Sequence, residues 1–99
     1  MNRYDITENI QALRDLADSI KSSKAKDYSP DVDGLENFKR VGAMMNVSPE
    51  FICLTYSMKH LQAMANSARG KTLTVEDATS RLVDVYNYME LLYCLIQAK

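Results

Sequence analysis

Between residues 78 and 96 the apolar residues Ala78, Leu82, Val85, Met89, Leu92 and Ile96 succeed one another in alternating steps of four and three. An α-helix turns once in about 3.6 residues, so this series draws one apolar stripe down a helix. Such a stripe is satisfied by another helix packed nearly antiparallel to it. The seam predicts a helix over 75–97 and requires helical neighbours for it. Thr74 and Asp77 stand three apart at its start, in the manner of a capping box with Asp in place of the usual Glu.

The rest of the chain supplies those neighbours. Ile6, Ile10, Leu13, Leu16, Ala17 and Ile20 predict a helix over 6–23, capped by Asp5 or Thr7 and weakened at its end by Ser22-Ser23. A loop is expected over 24–34, where Ser29-Pro30 favours extended backbone and Asp31, Asp33 and Gly34 favour turns. A short helix follows over 35–45, with Leu35, Phe38, Val41 and Met45 on one side and Asn46 as its C-terminal cap. Ser48-Pro49-Glu50 then opens a helix over 49–68, with Phe51, Leu54, Met58, Leu61 and Ala65 as its inward stripe and Gly70 as its stop. No alternating strand pattern and no internal repeat is present. The fold class is therefore all-α: a single domain over 1–99, a compact helical bundle of three long helices and one short helix.

Charge and cysteine usage narrow the functional classes. Twelve Lys and Arg against thirteen Asp and Glu give a net charge of −1, so no basic excess favours DNA, RNA or an anionic membrane. No apolar run reaches the length of a membrane span, and MNRYDITENI lacks the apolar stretch of a signal peptide. Cys53 and Cys94 lie in apolar helical stretches with a single His in the chain, which is neither a zinc pattern nor a disulfide framework. A cytoplasmic protein is expected. A chain of 99 residues with so apolar a last helix is also expected to form a homo-oligomer, a dimer or higher.

Two regions could carry chemistry. The glycines Gly34, Gly42 and Gly70 form no phosphate loop, and no motif links His60 to a Ser or Cys nucleophile, so no catalytic residue and no metal ligand is assigned. The 24–34 loop gathers Lys24, Lys26, Asp27, Tyr28, Asp31 and Asp33; Lys26 could grip a phosphate and Tyr28 stack on a base. On the last helix, Asp77, Arg81, Asp84 and Tyr88 line one side with Asn87 beside them, and Arg81 and Asp84 are expected to pair, partly buried. Lys59 and His60 interrupt the apolar third helix.

In order along the chain, Lys26-Asp27-Tyr28-Ser29-Pro30-Asp31, Asn37-Phe38, Lys59-His60 and the run from Arg81 to Tyr88 resemble a group of small phage and prophage proteins. That group is related to the MazG-like, all-α nucleotide pyrophosphohydrolases and includes the nucleotide-modification-associated family. The resemblance covers roughly residues 20 to 96 and implies a helical bundle that commonly dimerises and handles nucleoside phosphates. In active relatives an E-x-x-E and a later E-x-x-D hold Mg²⁺ against those phosphates. Here Asp84 matches the final Asp, but Arg81 replaces the Glu before it, and Tyr56-Ser57-Met58-Lys59-His60 stands where E-x-x-E is expected.

One carboxylate beside a Lys and an Arg suits direct phosphate binding better than Mg²⁺. The leading expectation is binding of a nucleotide-like phosphate ligand without turnover or cofactor. Lys26, Lys59 and Arg81 would hold phosphate, Tyr28 and Tyr88 would stack, and Asp27, His60, Asp84 and Asn87 would complete the site. One alternative is an active Mg²⁺-dependent pyrophosphohydrolase using Asp84, Asp27 and Asp31 or Asp33. The other is a small protein that binds and inhibits a host protein complex, which an exposed, unpaired Lys59 and Arg81 would favour.

Overall fold

The protein was analysed as a computed structural model, which describes residues 1–25 and 34–99, with side chains for 1–21 and 34–99. All regular structure among the described residues is helical: α1 (Arg3–Ala25), α2 (Glu36–Met45), α3 (Pro49–Gly70) and α4 (Val75–Gln97). The chain divides into two compact units, Met1–Val32 with α1 and Asp33–Lys99 with α2 to α4. No helix of the described residues is long and apolar enough to cross a membrane.

In the first unit, α1 begins three residues before the expected start at Ile6. Asn2 supplies the cap: its Oδ1 accepts from the Asp5 N–H at 2.9 Å, while the Asp5 carboxylate accepts from the Asn2 N–H at 3.4 Å. This reciprocal exchange satisfies two donors that a helix start leaves open. Thr7 is already inside the helix, donating its hydroxyl to the Arg3 carbonyl at 3.0 Å. At the other end α1 runs through Ser22-Ser23 to Ala25, so 24–25 belong to the helix and not to the loop.

In the second unit the helix ends follow local chemistry closely. The Ser48 hydroxyl accepts from the Phe51 N–H at 3.2 Å to start α3, with Pro49 in its first turn. The Thr74 hydroxyl accepts from the Asp77 N–H at 3.0 Å to start α4. Asp77 does not reach back to complete the box; its carboxylate lies 3.7 Å from Lys71 Nζ. Between α2 and α3 the chain reverses at Asn46, which takes the left-handed conformation at φ 57° and ψ 43°. The Val47 N–H then donates to the Gly42 carbonyl at 2.9 Å. The returning backbone passes so near Gly42 that a Cβ there would sit 2.8 Å from the Val47 carbonyl oxygen and 3.3 Å from Pro49 N.

The α3 and α4 helices run antiparallel. Glu50 at the start of α3 pairs with Lys99 beyond the end of α4 at 3.6 Å, Cys53 meets Tyr88, and His60 meets Asp84. The core of this unit is Phe38, Ile52, Cys53 and Leu95, with Leu35, Val41, Val47, Tyr56, Tyr88, Leu91 and Leu92 packed around it. The Cys53 thiol donates to the Tyr88 carbonyl at 3.2 Å, and the buried Ser57 hydroxyl donates back to the Cys53 carbonyl at 3.1 Å.

This geometry corrects the expected inward stripes. On α3 the residues turned inward are Ile52, Cys53, Ser57 and Met64, while Phe51, Leu54, Met58, Leu61 and Ala65 are all exposed. On α4, Ala78, Val83 and Leu95 are buried and Val85 and Leu92 half-buried, but Leu82, Met89 and Ile96 are exposed. Small residues, Cys53 and Ser57, hold the α3 side of the pair, because a close helix approach leaves no room for larger ones.

Gly42→Ala is expected to destabilise the protein by about 1–3 kcal/mol, since the added methyl must displace backbone and helix propensity recovers only part of the loss. Gly70→Ala is the control: a Cβ there meets nothing within 4 Å. Urea melts should separate the two, with Gly70→Ala unchanged or slightly more stable.

Candidate functional site

Midway along the α3–α4 pair, His60 projects from α3 between two side chains of α4. Its Nε2 lies 3.8 Å from Asp84 Oδ2, and its Nδ1 lies 3.5 Å from Arg81 Nη1. Arg81 can only donate, so a hydrogen bond here requires Nδ1 to accept, which is the tautomer that turns an Nε2 proton to the carboxylate. Asp84, His60 and Arg81 thus form a row in which the imidazole stands between the two charges. The expected Arg81–Asp84 pair is replaced by these two contacts with His60, and Arg81 is exposed, not partly buried. The His60 side chain is 21 % exposed and that of Asp84 39 %, so solvent screens the row and it adds less than about 1 kcal/mol to stability.

Tyr88 closes the inner side of this row. Its ring lies 5.9 Å from His60, 6.1 Å from Tyr56 and 6.3 Å from Phe38, the last two edge-on. Phe38 and Tyr56 are 5.9 Å apart, so three rings from three helices form one cluster. The surroundings of Tyr88 are therefore protein rings. Burial first, and then the Asp84 carboxylate with smaller effects from Cys53 and Tyr56, push the Tyr88 phenol above its ordinary value. Burial likewise pushes the Cys53 thiol up.

The remaining candidates do not join this group. Lys59 is exposed and makes no hydrogen bond or ion pair with the described residues; it precedes His60 by one residue, about 100° round the helix, and so leaves the α4-facing side. Asn87 is half-buried, and its Oδ1 is buried without a hydrogen-bond partner. Lys26, Asp27 and Tyr28, with Asp31 and Asp33, lie outside the described residues. Among the described residues no group of three His, Cys, Asp or Glu side chains is placed to hold a metal ion. A shallow depression is lined by Tyr86, Met89, Glu90, Tyr93 and Cys94, all on α4 and none of them in the His60 row.

The feature that sequence reading missed is apolar. Phe51, Leu54, Met58 and Leu61 on α3, and Leu82, Met89, Tyr93 and Ile96 on α4, are each between 39 % and 64 % exposed. The α2-facing residues are Ile52 and Tyr56 on α3 and Tyr88 and Leu91 on α4. At about 100° per residue, both exposed stripes point away from those positions, to the same side of the pair. The periodicity that reveals this face is plain in the sequence; what it does not reveal is the direction in which it points. No family model matches this chain, and no curated protein or solved structure matches it either.

The raised Tyr88 value fixes a pH dependence. The folded chain keeps a phenolic proton that the unfolded chain releases above pH 10, so this contribution is intact below pH 10 and is lost as pH climbs past it. Cys53 acts in the same sense from pH 9.0. Thermal midpoints should fall as pH rises above 9.0, and Tyr88→Phe should remove the part of that fall that lies above pH 10. An unchanged profile in Tyr88→Phe would contradict this assignment.

Proposed function

We propose that this chain is a protein-interaction module, with α3 and α4 as its docking platform. The observation that carries this reading is the set of eight large apolar side chains left open on one side of the α3–α4 pair. A lone monomer seldom leaves so extended an apolar area in water, and areas of this kind mark protein contacts. The exposed Lys59, which lacks a partner among the described residues, and the exposed Arg81 also support it over a built ligand pocket. A benzophenone side chain introduced at Met58 tests the reading. It should give a discrete photo-adduct in cell extract that Leu61→Glu removes, whereas the same probe at Lys59, off the platform, should give none. Equal labelling from both positions would count against a platform on this face.

A second reading follows from the Arg81 guanidinium, exposed beside His60 and Asp84. With the MazG-like resemblance, it supports a site for a nucleotide-like phosphate on the α3–α4 pair. Arg forks suit phosphate oxygens, and Asp84 beside them would disfavour a bare anion. Thermal shift against a nucleotide panel decides it: saturating ligand at about a hundred times Kd adds roughly 2.7 kcal/mol, or several degrees. A shift that survives without Mg²⁺ and disappears in Arg81→Ala supports binding without turnover. A shift that requires Mg²⁺ supports the hydrolase alternative, and no shift removes both.

A further inference from the structure

We infer that the occupant of the α3–α4 face is a second copy of this chain, seated antiparallel across a two-fold axis that passes between Met58 and Leu61. This rests on the interaction reading above and names its partner.

The α3 stripe tapers. It reads Phe51, Leu54, Met58, Leu61, Ala65 and Ala68 from one end to the other, and all six are exposed. In an antiparallel pairing about a single centre, Phe51 meets the partner's Ala68, Leu54 meets the partner's Ala65, and Met58 meets the partner's Leu61. All three pairs share that centre, midway between positions 59 and 60, so one register mates large with small at both ends of the stripe and sets Met58 against Leu61 at its middle. A parallel pairing would set Phe51 against its own copy and leave alanine facing alanine, crowded at one end and void at the other. Two-fold interfaces use the same patch on both subunits, which is what this self-complementarity provides.

The α4 stripe tapers in the matching sense. Because α4 runs antiparallel to α3, Tyr93 and Ile96 lie near the Phe51 end, whereas Leu82 and the smaller Val75 lie toward the Ala68 end. The bulky end of one hairpin therefore faces the slender end of the other on both helices.

Charge and area agree with this arrangement. Arg69 stands at one end of the stripe, and antiparallel seating brings it toward the partner's Glu50, a half-buried carboxylate that also meets Lys99 of its own chain. Parallel seating would bring like charges together. Each copy carries a net charge of only −1, so repulsion between copies is small. Eight large side chains of about 200 Å² each, roughly half exposed, offer on the order of 800 Å² per copy, the contribution of each partner to a standard stable interface.

Sedimentation and light scattering on the full chain provide the test. The expected mass at micromolar concentration is twice 11.2 kDa, and Met58→Glu should return it to 11.2 kDa with helical circular dichroism unchanged. Met58 is exposed, so the charge does not enter the core. Register is read by oxidation in a Cys94→Ser background. A chain carrying Leu54→Cys together with Ala65→Cys should form a covalent dimer, whereas Leu54→Cys alone should not, since its two copies would stand about 16 Å apart along the axis. Rapid cross-linking of Leu54→Cys alone overturns the antiparallel arrangement. A dimer that survives Met58→Glu overturns this face as its interface. A monomer at all concentrations overturns the second copy altogether. If the Met58 photo-probe still gives an adduct with a foreign protein, the interaction reading survives that outcome; if it gives none, both fail.

Discussion

Three aromatic rings, one from each of three helices, form the contact on which the α2–α4 unit depends. Phe38, Tyr56 and Tyr88 stand within 6.3 Å of one another, and Tyr88 also carries the backbone carbonyl that receives the Cys53 thiol. A short helix such as α2, with 10 residues, is marginal alone in water and owes its order to packing. Phe38 supplies that packing, and the tight reversal at Gly42 and Asn46 delivers Phe38 to the α3–α4 pair. The same Tyr88 ring flanks His60, so the polar row at the surface is supported directly by the core beneath it.

Much of the fold was legible where the sequence contains explicit punctuation. Ser48-Pro49, Thr74 and Asn46 act as caps because a side-chain oxygen or a left-handed backbone satisfies groups that the helix cannot. The start of α1 was harder to find because its signal is a short polar exchange between Asn2 and Asp5 that precedes any apolar residue. The extension of α1 through Ser22-Ser23 shows two serines accommodated within a long helix despite their modest propensity.

Side-chain direction was the harder problem. The α3 helix carries two plausible stripes, one of large apolar residues and one built on Ile52, Cys53, Ser57 and Met64. Hydrophobicity selects the first, whereas close packing against α4 selects the second, because a sulfur and a hydroxyl occupy less space and can bond to nearby carbonyls. At the candidate site, the row of Asp84, His60 and Arg81 was half legible. Spacing on one helix suggested Arg81 with Asp84, but only the α3–α4 register brings His60 to both. Lys59, adjacent to His60 in the chain, leaves that side because neighbours on a helix point apart.

The four residues from Lys71 to Thr74 that join α3 to α4 have a kinetic consequence. So short a connection closes with little chain entropy, and the contacts nearest to it are the most local in the pair. Assembly is thus favoured to begin at that corner and to zip toward the distant Glu50–Lys99 contact, the last rung to close. The order runs from the slender end of the hairpin to the bulky one. The largest apolar side chains of the platform therefore come into position only after the helices beneath them have registered.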